Sequence, residues 1–231
     1  MAANNEIGTI LPLKSIGKIA KKHGILYHID ATQLAGKYPF NIPDLGADLV
    51  SMSAHKFHGP KGVGLLVKRA GCKLESCSQG GGHERFLRPG TENVAFIWAM
   101  AHALQRNVDW YKKGGYKKMK KMRDYMERSL RRCIPHLIVN GHPRFRMVNT
   151  LSICIPGVDS RQLIRKLDRF GLCVNTGSAC SLGKRSRVLE AIGVTEEAEK
   201  GALRISLSRF NTMAEAKKAV KIICKVVGLK K

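Results

Sequence analysis

Val50-Ser51-Met52-Ser53-Ala54-His55-Lys56-Phe57-His58-Gly59-Pro60-Lys61-Gly62-Val63-Gly64-Leu65-Leu66-Val67 reads as a strand over 50–53, a polar turn, a glycine-rich loop and a second strand over 62–67. Upstream, Ile25-Leu26-Tyr27-His28-Ile29 is a short apolar run ending at Asp30 and reads as a buried strand. Before it, Leu13, Ile16, Ile19 and Ala20 recur at helical spacing over 13–23, with Gly24 as the stop. A helix followed by three short strands is the pattern of an α/β sheet. Chemistry in such sheets collects at the C-terminal ends of strands, where Asp30 and Lys56 both fall.

Beyond this block, Gly80-Gly81-Gly82-His83-Glu84-Arg85 interrupts the pattern and leads to Arg88-Pro89-Gly90-Thr91. Thr91 is placed to cap a helix running from Glu92 to about Gln105. A basic amphipathic helix is expected over about 116–132, and Pro135, Gly141 and Pro143 mark a boundary. A strand over 147–155, a helix over 160–170, a short helix over about 185–192, a strand over 203–207 and a helix over about 213–227 follow. The expected domains are therefore 1–134, a partial large domain with the basic connecting helix, and 135–231, a small α+β domain carrying a cysteine loop.

The bulk properties narrow the class. With 231 residues and 44% hydrophobic content the chain can bury a core, which argues against disorder. No run approaches the ~20 apolar residues of a membrane span, and no charged-then-apolar leader opens the sequence. Met1 to Gly8 reads instead like the interior of a domain. Seven cysteines, an odd count without zinc-finger spacing, favour free thiols in a reducing intracellular compartment, the cytoplasm first, and no structural metal. The formal charge of +24 is partly clustered, with ten basic residues from Lys112 to Arg132 against Asp124 and Glu127. Such a helix is ordinarily a solvated face. It also suits a polyanion, so a basic scaffold or RNA-associated protein is the reading from another class.

Individual residues carry the chemistry. A lysine directly after a buried strand, such as Lys56, can be partly desolvated, which favours the neutral amine needed for Schiff-base formation. Taken alone it would be a surface residue, but Asp30 on the neighbouring strand and Gln33 one turn later change that reading. A carboxylate there suits the protonated pyridine nitrogen of pyridoxal phosphate (PLP), with Gln33 donating to the ring oxygen. Ser53 and His55 supply donors for a phosphate. Cys180, in Gly177-Ser178-Ala179-Cys180 and followed by Lys184, Arg185 and Arg187, suits an exposed thiolate nucleophile or persulfide carrier. Arg204, a charge inside the apolar run Ala202-Leu203-Arg204-Ile205, suits a bidentate grip on a substrate carboxylate.

These motifs together resemble the cysteine desulfurases of the NifS/IscS family, with the related selenocysteine lyases. The resemblance rests on Ala3-Asn4-Asn5-Glu6-Ile7-Gly8, His28-Ile29-Asp30-Ala31-Thr32-Gln33, Ser51 to Gly64, and Gly80 to Asn93. The Gly177–Cys180 loop and Leu203 to Phe210 extend it. It implies a PLP-dependent transferase of fold type I, here as a partial large domain with a smaller C-terminal α+β domain. By this resemblance Lys56 bears the cofactor and moves the substrate α-proton, while Asp30 pairs with the ring nitrogen and Gln33 with the ring oxygen. Asn5 sits by the ring and the substrate carboxylate, Ser53 and His55 hold the phosphate, and Thr91 reaches the phosphate of a second subunit in a homodimer. Arg204 binds the carboxylate of L-cysteine, and Cys180 takes its sulfur for iron-sulfur cluster assembly or tRNA thiolation through an acceptor protein. A selenocysteine lyase shares the framework.

Relatives place a phosphate-cradling loop and a ring-stacking histidine upstream of the Ala-Asn-Asn-Glu motif. These 231 residues are therefore expected to need a second polypeptide, or a further part of the protein, to hold PLP firmly.

Overall fold

In this computed structural model, residues 1–177 and 185–228 are described, and they fall into two compact units. Unit 1 comprises Met1–Ala2 and Pro12–Asp109, and unit 2 comprises Ala3–Leu11 and Trp110–Lys231.

Unit 1 begins with α1 (Leu13–Lys22), whose Leu13, Gly17 and Ala20 turn inward. Gly17 carries no side chain because a Cβ there would lie 2.0 Å from the carbonyl oxygen of Leu45. Three strands follow: β1 (His28–Asp30), β2 (Leu49–Ser53) and β3 (Gly64–Lys68). They form one sheet in the order β1-β2-β3, with β1 parallel to β2 and β2 antiparallel to β3. Two 3-10 turns, Ile42–Leu45 and Ala54–Phe57, flank β2. Ile29, Val50, Met52, Phe57, Leu34 and Leu45 supply the buried interior.

A single turn, α2 (His83–Phe86), precedes α3 (Val94–Trp110). Thr91 does not cap α3. Asn93 does, accepting the Phe96 N–H at 3.2 Å, because the helix starts two residues later than its sequence suggests. Val94, Phe96, Ile97 and Trp98 in the first turns of α3 are exposed.

Unit 2 runs from a π-helical turn at Tyr111–Gly115 into α4 (Tyr116–Cys133), then β4 (Ile138–Val139), β5 (Thr150–Cys154) and α5 (Ser160–Asp168). After α5 come α6 (Arg187–Ala191), α7 (Glu196–Glu199), β6 (Ala202–Ser206) and α8 (Met213–Val226). The sheet is antiparallel in the order β4-β5-β6. Asp159 caps α5 through two backbone amides, and Thr212 with Glu215 forms a capping box on α8.

The division differs from a boundary at 134/135. The basic helix α4 belongs to unit 2 because Met119, Met122, Met126 and Leu130 are buried among Leu151, Ile153, Leu203 and Ile223. Most of its charges lie away from that core, with Lys117, Lys118, Lys121 and Arg128 exposed, whereas Arg123 is buried and donates to the Arg146 and Met147 carbonyls. Ala3–Leu11 also joins unit 2, where Ile7 packs with Cys154, Leu189 and Ala202. The cysteines need one correction too: Cys133 on α4 and Cys224 on α8 form a disulfide, their Cα atoms 6.1 Å apart, so not every thiol is free. Among the described residues, Cys72, Cys77, Cys154 and Cys173 are free, no His/Cys/Asp/Glu cluster could hold a metal, and no helix is long and apolar enough to cross a membrane.

Candidate functional site

In unit 1 the parallel register sets Asp30 beside Ser51. The chain leaves β1 through a turn in which Asp30 Oδ1 accepts the Thr32 N–H at 2.9 Å and Ala31 accepts from Leu34 and Ala35. The aspartate is thus held by the local turn, with Gln33 half-buried within it. One strand over, β2 ends at Ser53, whose hydroxyl meets His55 Nδ1 at 2.8 Å. Lys56 follows on the 3-10 turn, half-buried, with Phe57 beneath it fully buried.

Two devices fix the Lys56 turn. His58 adopts a left-handed conformation with φ 67°, and Gly59 returns to donate to Ala54 O at 2.9 Å. A Cβ at Gly59 would lie 2.9 Å from that of Ala54, so the turn closes only with glycine there. From α3, the buried Asn107 donates to Phe57 O at 2.5 Å and to Ala103 O at 2.8 Å.

Lys37 stands near this turn and was not singled out by the sequence. A Cβ on Gly36 would lie 2.9 Å from Phe57 Cβ and 3.3 Å from Asn107 Cβ, so the 31–37 turn rests directly on the Lys56 turn. Lys37 is half-buried and makes no ion pair among the described residues. Burial pushes its pKa down to about 8, and the charge of Lys56 adds to the shift. Thr91 is exposed in the loop before α3.

In unit 2, Asn4 Oδ1 accepts the amides of Glu6 and Ile7 at 2.8 and 3.0 Å, closing a turn that presents the Asn5 carbonyl to Arg204 Nη1 at 2.9 Å. Arg204 sits on β6, paired with Ser152 of β5 on one side and with Asn175 on the other. Its Nε is buried without a hydrogen-bond partner among the described residues. Burial lowers the pKa of Arg204 from its ordinary value, and the charge of Glu6 opposes that shift. A guanidinium held by one neutral carbonyl, with a buried donor left over, has capacity for an anion. Cys180 lies outside the described residues.

Sequence reading therefore finds Asp30, Gln33, Ser53, His55 and Lys56 gathered at the ends of neighbouring strands in unit 1. It finds Asn5 with Arg204 in unit 2. It misses Lys37 and Asn107; the available signals were a lysine after glycine just past Asp30, and an asparagine inside an apolar helix.

The family model described as aminotransferase class-V matches residues 1–218. Among curated proteins, cysteine desulfurase 2 of Trichormus variabilis is 38% identical over 229 residues, covering 98% of this chain and 57% of the relative. The cysteine desulfurase IscS of Dictyoglomus turgidum is also 38% identical, over 98% of this chain and 58% of its own. Among solved structures, a NifS-like protein superposes with TM-score 0.89 at 36% identity, over 100% of this chain and 60% of that one. The NifS-like protein from Rickettsia africae gives 0.87 at 32% identity, over 98% and 60%. The chain thus spans somewhat more than half the length of the relatives it matches.

Proposed function

This chain belongs to the aminotransferase class-V family, and from that premise we propose that it carries the lysine-bearing and cysteine-bearing part of a PLP-dependent cysteine desulfurase. The observation that carries the reading is Lys56, half-buried on its turn directly after β2, with Asp30 at the end of the adjacent parallel strand. The donor set fits the cofactor: an amine to join it, a carboxylate for a ring nitrogen, and a hydroxyl and imidazole for a phosphate. When bound, PLP withdraws electrons from the substrate carbon bearing the amine.

The chain's own residues divide the work. Asp30, its Oδ1 accepting the Thr32 amide, would pair with the ring nitrogen. Gln33 would offer its amide to the ring oxygen, and Ser53 with His55, 2.8 Å apart, would hold the phosphate. Thr91, exposed in the loop before α3, would reach the phosphate held by a second subunit. Lys56 would hold the cofactor through its amine and would carry the proton of the substrate α-carbon. Arg204 and Asn5 bind the carboxylate of L-cysteine, the spare guanidinium donor of Arg204 supporting that role. The Cys180 thiol takes the substrate sulfur as a persulfide, and the remainder leaves as L-alanine; a sulfur-acceptor protein then relieves Cys180.

The exposed apolar face of α3, with Phe86 also exposed, supports association through unit 1 with a second copy or with a polypeptide that completes the large domain. A cytoplasmic location is part of the proposal.

The test is to incubate the chain with PLP, reduce with borohydride and map the modified lysine by mass spectrometry. The pyridoxyl label is expected at Lys56 and should vanish in Lys56→Ala. A label spread evenly over the surface lysines would overturn the assignment. In the complete assembly, alanine release from L-cysteine should be lost in both Lys56→Ala and Cys180→Ser.

A further inference from the structure

We propose that Glu6 is a positioning residue that fastens both stems of the Cys180 segment to the Asn5–Arg204 end of unit 2; the inference rests on reading Cys180 as the sulfur carrier. Glu6 is a buried carboxylate, and its place is set by the Asn4 turn that also presents the Asn5 carbonyl to Arg204. Its Oε2 accepts the Ser186 hydroxyl at 2.6 Å. That hydroxyl in turn accepts the Leu189 N–H at 3.2 Å as the cap of α6, so its proton is committed to Glu6. The Ser186 amide donates to Glu199, and Arg185 bonds to Glu199, Glu190 and the Val194 carbonyl, each at 3.1–3.2 Å. The downstream stem is thereby held at Arg185–Ser186.

The upstream stem converges on the same carboxylate. Asn175 exchanges both backbone hydrogen bonds with Arg204, at 2.6 and 3.2 Å. Two residues on, the backbone passes beside the same carboxylate at Gly177, where an added Cβ would lie 3.7 Å from Glu6 Oε2. Gly177 and Arg185 bracket the residues that carry Cys180. A buried carboxylate is costly unless charge-assisted hydrogen bonds offset its desolvation. Glu6 makes such a bond to the stem and lies in the field of Arg204, which it stabilises as a cation. With both ends held, the points where the chain leaves Gly177 and returns at Arg185 are set relative to the Asn5–Arg204 end.

The full chain is compared with Glu6→Ala, Glu6→Gln and Ser186→Asp. The last keeps a capping oxygen for Leu189 but sets a like charge against Glu6. Backbone hydrogen exchange is read over 173–177 and 185–189, with β5 as the internal control. Alkylation of Cys180 by iodoacetamide is read against the exposed Cys77. Exchange in both stems is expected to rise at least ten-fold in Glu6→Ala and Ser186→Asp, with β5 unchanged. The Cys180-to-Cys77 alkylation ratio should shift at least three-fold, and Glu6→Gln should restore most of both. Stems as protected as in the parent chain would overturn the proposal, as would a uniform rise that includes β5. Loosened stems with an unchanged alkylation ratio would overturn it as well. None of these readouts requires PLP, so absence of the Lys56 label in the complete assembly would sink the desulfurase reading and leave the clamp standing.

Discussion

Replacing Lys37 by methionine removes a cation that the fold holds at a cost. The side chain is half-buried, makes no ion pair among the described residues, and stands near Lys56, so its pKa falls to about 8. An unfolded lysine titrates near ~10.4. Below pH 8 the lysine is protonated in both states, and the full penalty for burying the ammonium is present. As pH rises from about 8 towards ~10.4, the native chain sheds its proton before the unfolded chain does, and the penalty fades. At ~1.4 kcal/mol per pH unit the gap sets a ceiling of roughly 3 kcal/mol, and partial exposure brings the expected value to about 1–2 kcal/mol. Lys37→Met keeps a chain of similar length with no charge to bury. Urea unfolding of both proteins at pH 7 and pH 10 isolates the effect, because titrating groups remote from Lys37 cancel in the difference. The variant should be more stable by about 1–2 kcal/mol at pH 7 and near parity at pH 10. Parallel stability curves, with the same difference at both values, would refute the desolvation argument.

Two further changes probe how the units are built. Asn107→Ala strips Phe57 O and Ala103 O of a buried donor, so it should cost about 1–3 kcal/mol in urea unfolding. It should also raise hydrogen exchange at 54–59 before the rest of unit 1 responds. In unit 2, Arg146 is nearly fully buried, with its charge met by Glu127 and by Asn140 O at 3.3 Å. Glu127→Ala should therefore destabilise the chain by about 3–5 kcal/mol, whereas a loss under 1 kcal/mol would mean that the guanidinium finds water or another partner.

Local pattern was enough for much of the fold. Leu13, Ile16 and Ala20 announce α1, and Met119, Met122, Met126 and Leu130 announce the inner face of α4, because apolar spacing follows the helical period directly. The strand ends at Asp30 and Ser53 were legible for a similar reason: each closes an apolar run at a polar turn. The start of α3 was not, since Thr91 and Asn93 are both competent caps and only the backbone path selects Asn93. Nor was the pairing of Cys133 with Cys224, which depends on how helices 91 residues apart in sequence lie together.

Residue order alone names the chemical groups: Lys56 after a strand, Asp30 at the end of its neighbour, Arg204 inside an apolar strand, and a cysteine in a small-residue loop. Residue type and local periodicity suffice for that. Tertiary structure alone decided what surrounds them. Gly36 admits Phe57 at van der Waals distance and so sets the 31–37 turn against the Lys56 turn; Asn107 reaches across 50 residues to tie that turn down. Glu6 meets Ser186 across 180 residues. Burial and hydrogen bonding between distant segments set these environments, and no local pattern encodes which segments will meet.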